Sequence, residues 1–153
     1  MSDVTKADVH TRIQTSFEKQ GLMKLLGAEL LEVERGRVVI GLRARPELSQ
    51  QHGFMHAGAT GAIADSAGGY AALTMFPPGA EVLSVEYKLN LLAPSAGDRA
   101  EAVAKVVRAG RTLTVCTLEV YSLKGEGPTE ERKLVALGQQ TLYCVQPKDD
   151  ESR

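Results

Sequence analysis

Residues Ala57 to Phe76 read AGATGAIADSAGGYAALTMF and run into Pro77-Pro78-Gly79, a strong stop for a helix. The stretch holds Gly58, Gly61, Gly68 and Gly69, seven alanines and a single charge, Asp65. An interior glycine costs a helix about 1 kcal/mol relative to alanine, so close packing, rather than propensity, selects this composition. At 1.5 Å per residue the helix would be about 30 Å long. Apolar nearly all round, it must be buried, and the rest of the chain has to surround it.

The rest of the chain offers the means. Val9, Ile13 and Phe17 recur at helical spacing, which predicts an amphipathic helix over Lys6 to Lys24. Leu31 and Val33, a turn at Arg35-Gly36, then Val38, Ile40 and Leu42 read as a β-hairpin. Arg43 to Met55 has neither period and is a loop of the kind that carries function. After the Pro-Pro-Gly stop, Leu83, Val85, Tyr87, Leu89 and Leu91 alternate with Ser84, Glu86, Lys88 and Asn90, as the two faces of a strand. Arg99 to Arg108, Thr112 to Tyr121 and Lys133 to Val145 follow as further strands joined by short turns. The order predicts an α+β fold in which one antiparallel sheet wraps the central helix. An N-terminal helical segment is expected over 1–25, the main domain over 26–146, and a frayed tail over 147–153.

With 153 residues the chain is long enough to bury a core without disulfide or metal staples. Lys plus Arg total 18 against 19 for Asp plus Glu, and no basic run is present, which argues against nucleic acid or an anionic membrane as partner. The polar N-terminus lacks the apolar core of a signal peptide, and no window reaches about 18 consecutive apolar residues, so the expected location is the cytoplasm. Cys116 and Cys144 lie in apolar stretches without nearby His or Cys, and read as buried free thiols rather than a disulfide or a zinc site.

The chemistry concentrates in Gln50-Gln51-His52-Gly53-Phe54-Met55-His56-Ala57-Gly58 and in Asp65 beyond it. A carboxylate in the middle of an apolar helix needs a partner, a water or a job. It either faces solvent, satisfies a neighbouring backbone group, or performs a reaction. His52 and His56 have a structural alternative too, a hydrogen bond across the loop.

His52-Gly53, His56-Ala57-Gly58 and Asp65, on a long helix ended by Pro-Pro-Gly and followed by Leu83-Ser84-Val85-Glu86-Tyr87, resemble the acyl-CoA thioesterases of the hotdog superfamily, in particular the PaaI-type branch. The likeness runs from about Leu26 to Val145 and implies the hotdog fold. That family usually has His-Gly-Gly; here Ala57 takes the place of the first glycine and retains its backbone N–H. The resemblance implies that Ala57 N–H polarises a thioester carbonyl at the helix N-terminus, and that Asp65 is either the base that activates water or a nucleophile. It also implies that Gln50 and His56 assist, that Ser84 orients the carboxylate, and that His52, Gly53 and Gly58 lie against the substrate. Neither a metal nor a redox cofactor is implied. Ser84 has the alternative of an ordinary outer-face residue. Arg108 and Arg111, with Arg132 and Lys133, would either meet CoA phosphates at a subunit boundary or end strands in solvent. Phe54, Met55 and Tyr70 are candidate pocket residues.

Ala57 and Asp65, eight residues apart, are separated by about 12 Å along one helix, too far to act on one carbonyl carbon. If both act, one chain's helix N-terminus must meet another chain's Asp65, which requires at least a homodimer with two equivalent sites. The resemblance extends this to a homotetramer. Two further readings stay open: an enoyl-CoA hydratase or dehydratase working through His52 or His56, and a non-catalytic acyl-CoA-binding module.

Overall fold

A computed structural model describes residues 5–147 of the chain; of the expected tail, all but Pro147 lies outside the described residues. Helix α1 (Lys6–Phe17) starts from a capping box in which Thr5 accepts from Asp8 N–H and Asp8 accepts from Thr5 N–H. The single N-terminal helix expected from periodicity is in fact two. After Phe17 the chain turns and resumes as α2 (Gly21–Leu26), closed by Gly27 at φ 72°. Tertiary contact explains the break. Phe17 packs edge-on against Tyr70, with ring centroids 6.1 Å apart. Gln20, extended at φ −75° and ψ 108°, turns its amide inward to donate to the Tyr70 hydroxyl at 2.8 Å.

Strands β1 (Glu29–Glu34) and β2 (Arg37–Arg43) form the hairpin, pairing Glu34 with Arg37 across Gly36. The buried helix α3 (Ala57–Leu73) follows, then β3 (Glu81–Leu91), β4 (Arg99–Ala109), β5 (Leu113–Lys124) and β6 (Glu131–Val145). All pairs are antiparallel, and the spatial order is β1-β2-β4-β5-β6-β3. Helix α3 lies against one face of this open six-stranded sheet, touching β2 through β6, as a hotdog fold requires. It stops at Leu73, ahead of the prolines, because Thr74 Oγ1 donates back to Ala71 O at 2.6 Å and accepts from Gly36 N–H at 2.7 Å, tying the helix end to the hairpin turn.

Helix and sheet meet through small groups. Ala64, Ala67, Ala71 and Ala72 of α3 are fully buried, and Ala100, Ala102 and Ala104 of β4 face the helix. β5 alternates regularly, with Thr114, Cys116, Leu118 and Val120 inward. β3 does not keep the single apolar face that its sequence presents. The register shifts between Ser84 and Glu86, so Val82 and Ser84 point at α3 before the irregularity, while Tyr87 and Leu89 do so after it. Leu83 and Val85 are left exposed on an edge strand. Among the described residues no helix is long and apolar enough to cross a membrane.

Two positions carry testable consequences. A Cβ on Gly138 of β6 would fall 1.8 Å from the Lys88 carbonyl oxygen, so Gly138→Ala must push β3 away and is expected to lower unfolding stability by about 2–3 kcal/mol in urea titration. Cys116 is a free, fully buried thiol whose Sγ lies 3.7 Å from Gly68 O, and burial pushes its pKa from 9.0 up to about 12. Between those values the unfolded chain binds fewer protons than the folded one, so stability falls as pH rises through that window. Unfolding free energies measured at rising alkaline pH should therefore drop faster for the wild type than for Cys116→Ala, and parallel curves would refute this account.

Candidate active site

The loop before α3 is more ordered than its sequence implies. A 3-10 turn over Pro46–Leu48 leads to a tight turn in which Gln50 N–H donates to Phe54 O at 2.8 Å, and Gly53 N–H to Gln50 O at 3.0 Å, with Gly53 at φ 83°. Met55 N–H donates to Ser95 O at 3.0 Å, stapling the loop to the β3–β4 connection. His52 is exposed on this turn, and its N–H donates to Gln50 Oε1.

His56 is the N-cap of α3. Its Nδ1 accepts from Gly58 N–H at 2.7 Å, and a Cβ on Gly58 would lie only 2.8 Å from that nitrogen, so glycine is what lets the ring fold over the helix start. Ala57 is thereby the first helical residue, and its N–H has no acceptor within the helix. Ala57, Gln50, Phe54 and Met55 line one cavity of about 390 Å³, together with Leu91 at the end of β3 and Leu92 after it.

Asp65 opens onto a different cavity of about 650 Å³, bounded by α1, α3 and the start of β3. Ser16, Lys19 and Gln20 come from the N-terminal segment, Tyr70 from α3 and Ser84 from β3. Polar contacts knit its wall: Ser16 Oγ lies 3.2 Å from the Tyr70 hydroxyl, and Ser66 Oγ donates to Gln20 Oε1 at 3.2 Å. At one end Arg12 donates to Phe76 O at 3.3 Å and Ala80 O at 2.5 Å, and burial draws its guanidinium below the ordinary arginine range.

The Asp65 carboxylate is held through one oxygen. Oδ1 accepts from Ser84 Oγ at 2.6 Å and from Gln140 Nε2 at 2.6 Å. Ser84 is therefore not the outward polar residue that strand alternation alone allows; the register shift in β3 turns it toward the helix. Gln140 was not legible as a site residue. The signal available was an amide in register with Leu142 and Cys144 on the buried side of β6.

The remaining candidates lie elsewhere in the chain. Arg108 and Arg111 flank the β4–β5 turn, are exposed, and line neither cavity. Arg132 is committed to Glu101 at 2.8 Å and stacks over Tyr121 at 4.0 Å, whereas Lys133 is exposed on β6. Within one chain, then, Gln50 and Ala57 share one cavity, and Ser84 and Asp65 share another.

Comparison with known proteins agrees with this fold. Residues 52–129 match the family model described as the thioesterase superfamily. A thioesterase family protein from Silicibacter pomeroyi shares 38% identity, with a TM-score of 0.85 over 90% of this chain and 98% of that one. The PaaI protein of E. coli, from the phenylacetic acid degradation operon, has the same fold, with a TM-score of 0.78 at 21% identity over 91% of this chain and 94% of that one. The 1,4-dihydroxy-2-naphthoyl-CoA hydrolase of Listeria monocytogenes is 25% identical over 122 residues, covering 80% of this chain and 94% of the relative. The chain belongs to the thioesterase superfamily, as a hotdog-fold enzyme.

Proposed function

We propose that the protein hydrolyses a small, medium-sized or aromatic acyl-CoA to the free acid and CoA, with Asp65 acting on the thioester and Ala57 N–H of a second subunit polarising its carbonyl. The observation that carries this reading is the Asp65 carboxylate: Oδ1 takes both hydrogen bonds, and Oδ2 accepts none among the described residues while the side chain lines a cavity of about 650 Å³. A cavity of that size accommodates an acyl group of these classes. The likeness to the 1,4-dihydroxy-2-naphthoyl-CoA hydrolase of Listeria supports an aromatic acyl group.

Two routes balance chemically. In one, Oδ2 takes a proton from water while the water oxygen attacks the carbonyl carbon. The tetrahedral oxyanion is held by the Ala57 N–H and the helix dipole, then collapses with cleavage of the C–S bond, and the CoA thiolate takes up the proton. In the other, Oδ2 attacks directly, expelling the thiolate, and water hydrolyses the resulting anhydride.

The need for two subunits rests on the helix itself, which separates Ala57 from Asp65 by about 12 Å. β3 runs past both cavities as an edge strand with Leu83, Val85, Tyr87 and Leu91 exposed, which suits edge-to-edge pairing with a second copy. The hydratase alternative is less well supported, because His56 Nδ1 is already committed to capping α3.

Asp65→Asn is expected to lower kcat on an acyl-CoA panel at least about 100-fold. Ala57→Pro removes the N–H at a position where proline is compatible with the helix start, and His56 before it is already extended at φ −65° and ψ 137°; a loss of about 100-fold or more is expected. Each variant alone is inactive. Subunits of the two variants mixed in equal amounts and allowed to exchange should recover about a quarter of wild-type activity, since half the dimers are hybrids with one intact site in two. Full turnover by Asp65→Asn would refute the chemistry, and no recovery on mixing would refute the shared site.

A further inference from the structure

We infer that Gln140 is a positioning residue for the reaction, and that Gly68 is glycine because the Gln140 amide occupies the place of its side chain. The inference rests on Asp65 being the reacting carboxylate. Gln140 is 1% exposed, and its Nε2 is within hydrogen-bonding distance of Asp65 Oδ1 at 2.6 Å, Ser84 Oγ at 3.0 Å and Asp65 O at 3.2 Å. One amide nitrogen thus meets the side chain and backbone of the reacting residue and the hydroxyl that shares its oxygen.

The other half of the amide shows why this arrangement is more than filling. Gln140 Oε1 is buried with no hydrogen-bond partner among the described residues, an unfavourable state that an apolar side chain of the same shape would avoid. Rotating the amide by half a turn would bring that oxygen against the Asp65 and Ser84 oxygens and forfeit the donors, so the acceptor at Asp65 selects the observed orientation. The orphaned oxygen lies over α3 at Gly68, three residues on from Asp65. A Cβ there would fall 1.7 Å from Oε1 and 2.9 Å from Cδ of Gln140. Any other residue at 68 evicts the amide.

The mechanical consequence falls on Asp65. With Ser84 and Gln140 both donating to Oδ1, the carboxylate cannot turn about its own bond, and Oδ2 is presented to the cavity in one direction. A reacting oxygen held in one orientation affects the chemical step rather than binding of the CoA ester.

The experiment compares Gln140→Met, Gln140→Glu, Gln140→Ala, Gly68→Ala and the Gln140→Ala/Gly68→Ala double variant with Asp65→Asn, measuring kcat, KM and thermal unfolding. Gln140→Met keeps the volume but loses the donor, and kcat should fall roughly 10- to 100-fold with KM within about twofold. Gly68→Ala should show the same kcat loss in the wild-type background, and no further loss when Gln140 is already alanine. Gln140→Glu donates only when its new carboxyl is protonated, so its activity relative to wild type should rise as pH is lowered. Arg12, Lys19, Glu81 and Tyr70 around the cavity, and Cys116 paired beside Gln140, are common to both proteins and cancel in that ratio. Should Gln140→Met fail to fold, the pH ratio for Gln140→Glu decides, and a flat ratio overturns the inference. Gln140→Met turning over within about twofold of wild type while Asp65→Asn is inactive overturns the positioning role and leaves the proposed function standing. An active Asp65→Asn removes both.

Discussion

The structure depends on how closely α3 can approach the sheet. The helix presents glycine and alanine, and β4 answers with Ala100, Ala102 and Ala104, so two backbones are separated by little more than methyl groups. Interiors are packed to crystalline density, and a layer this thin leaves no room for a long side chain unless an opposing one is missing. Gly68 supplies that omission. Through it the amide of Gln140 crosses from the sheet to the helix and meets the one charge inside the layer, Asp65. Gly68, which weakens α3 as an isolated helix by about 1 kcal/mol, is the condition for this half-buried carboxylate to find its Gln140 donor.

Much of this was legible in the chain. The start and burial of the central helix follow from its composition, and the hairpin from alternation about Arg35-Gly36, whereas the cap at His56 was not legible. Asp65 is conspicuous as a lone charge. What escaped was set by tertiary contacts that leave no periodic trace. The break after Phe17 comes from Gln20 reaching for Tyr70, which no local propensity encodes. The register shift near Val85 interrupts an alternation that reads as unbroken, so the strand's apparent apolar face divides and Ser84 turns inward. Gln140 lies 75 residues from Asp65 in a strand whose neighbours read as plain core. A contact at that separation becomes visible only once β6 is known to lie between β5 and β3.

Helix α3 also acts as a spacer in the proposed enzyme. Its N-terminus, capped by His56, offers an unpaired N–H, and two turns further on it offers a carboxylate. Neither cavity holds both groups. Under the proposed chemistry, the rigidity that makes α3 a good core element would prevent one chain from completing the reaction alone. Edge strand β3, bordering both cavities, is the element through which a second copy would complete each half.

The sheet order has a consequence for synthesis from N- to C-terminus. β3 is made early, yet its partner is β6, whose residues emerge about 50 positions later. At roughly 5–20 residues per second, β3 spends several seconds with both edges unpaired, its apolar side chains exposed to every other nascent chain nearby. Asp65 waits longer still for Gln140, which emerges 75 residues after it. The charge in α3 thus gains its second donor only once β6 is made, and a chain cut short anywhere before Gln140 lacks the group that orients its carboxylate.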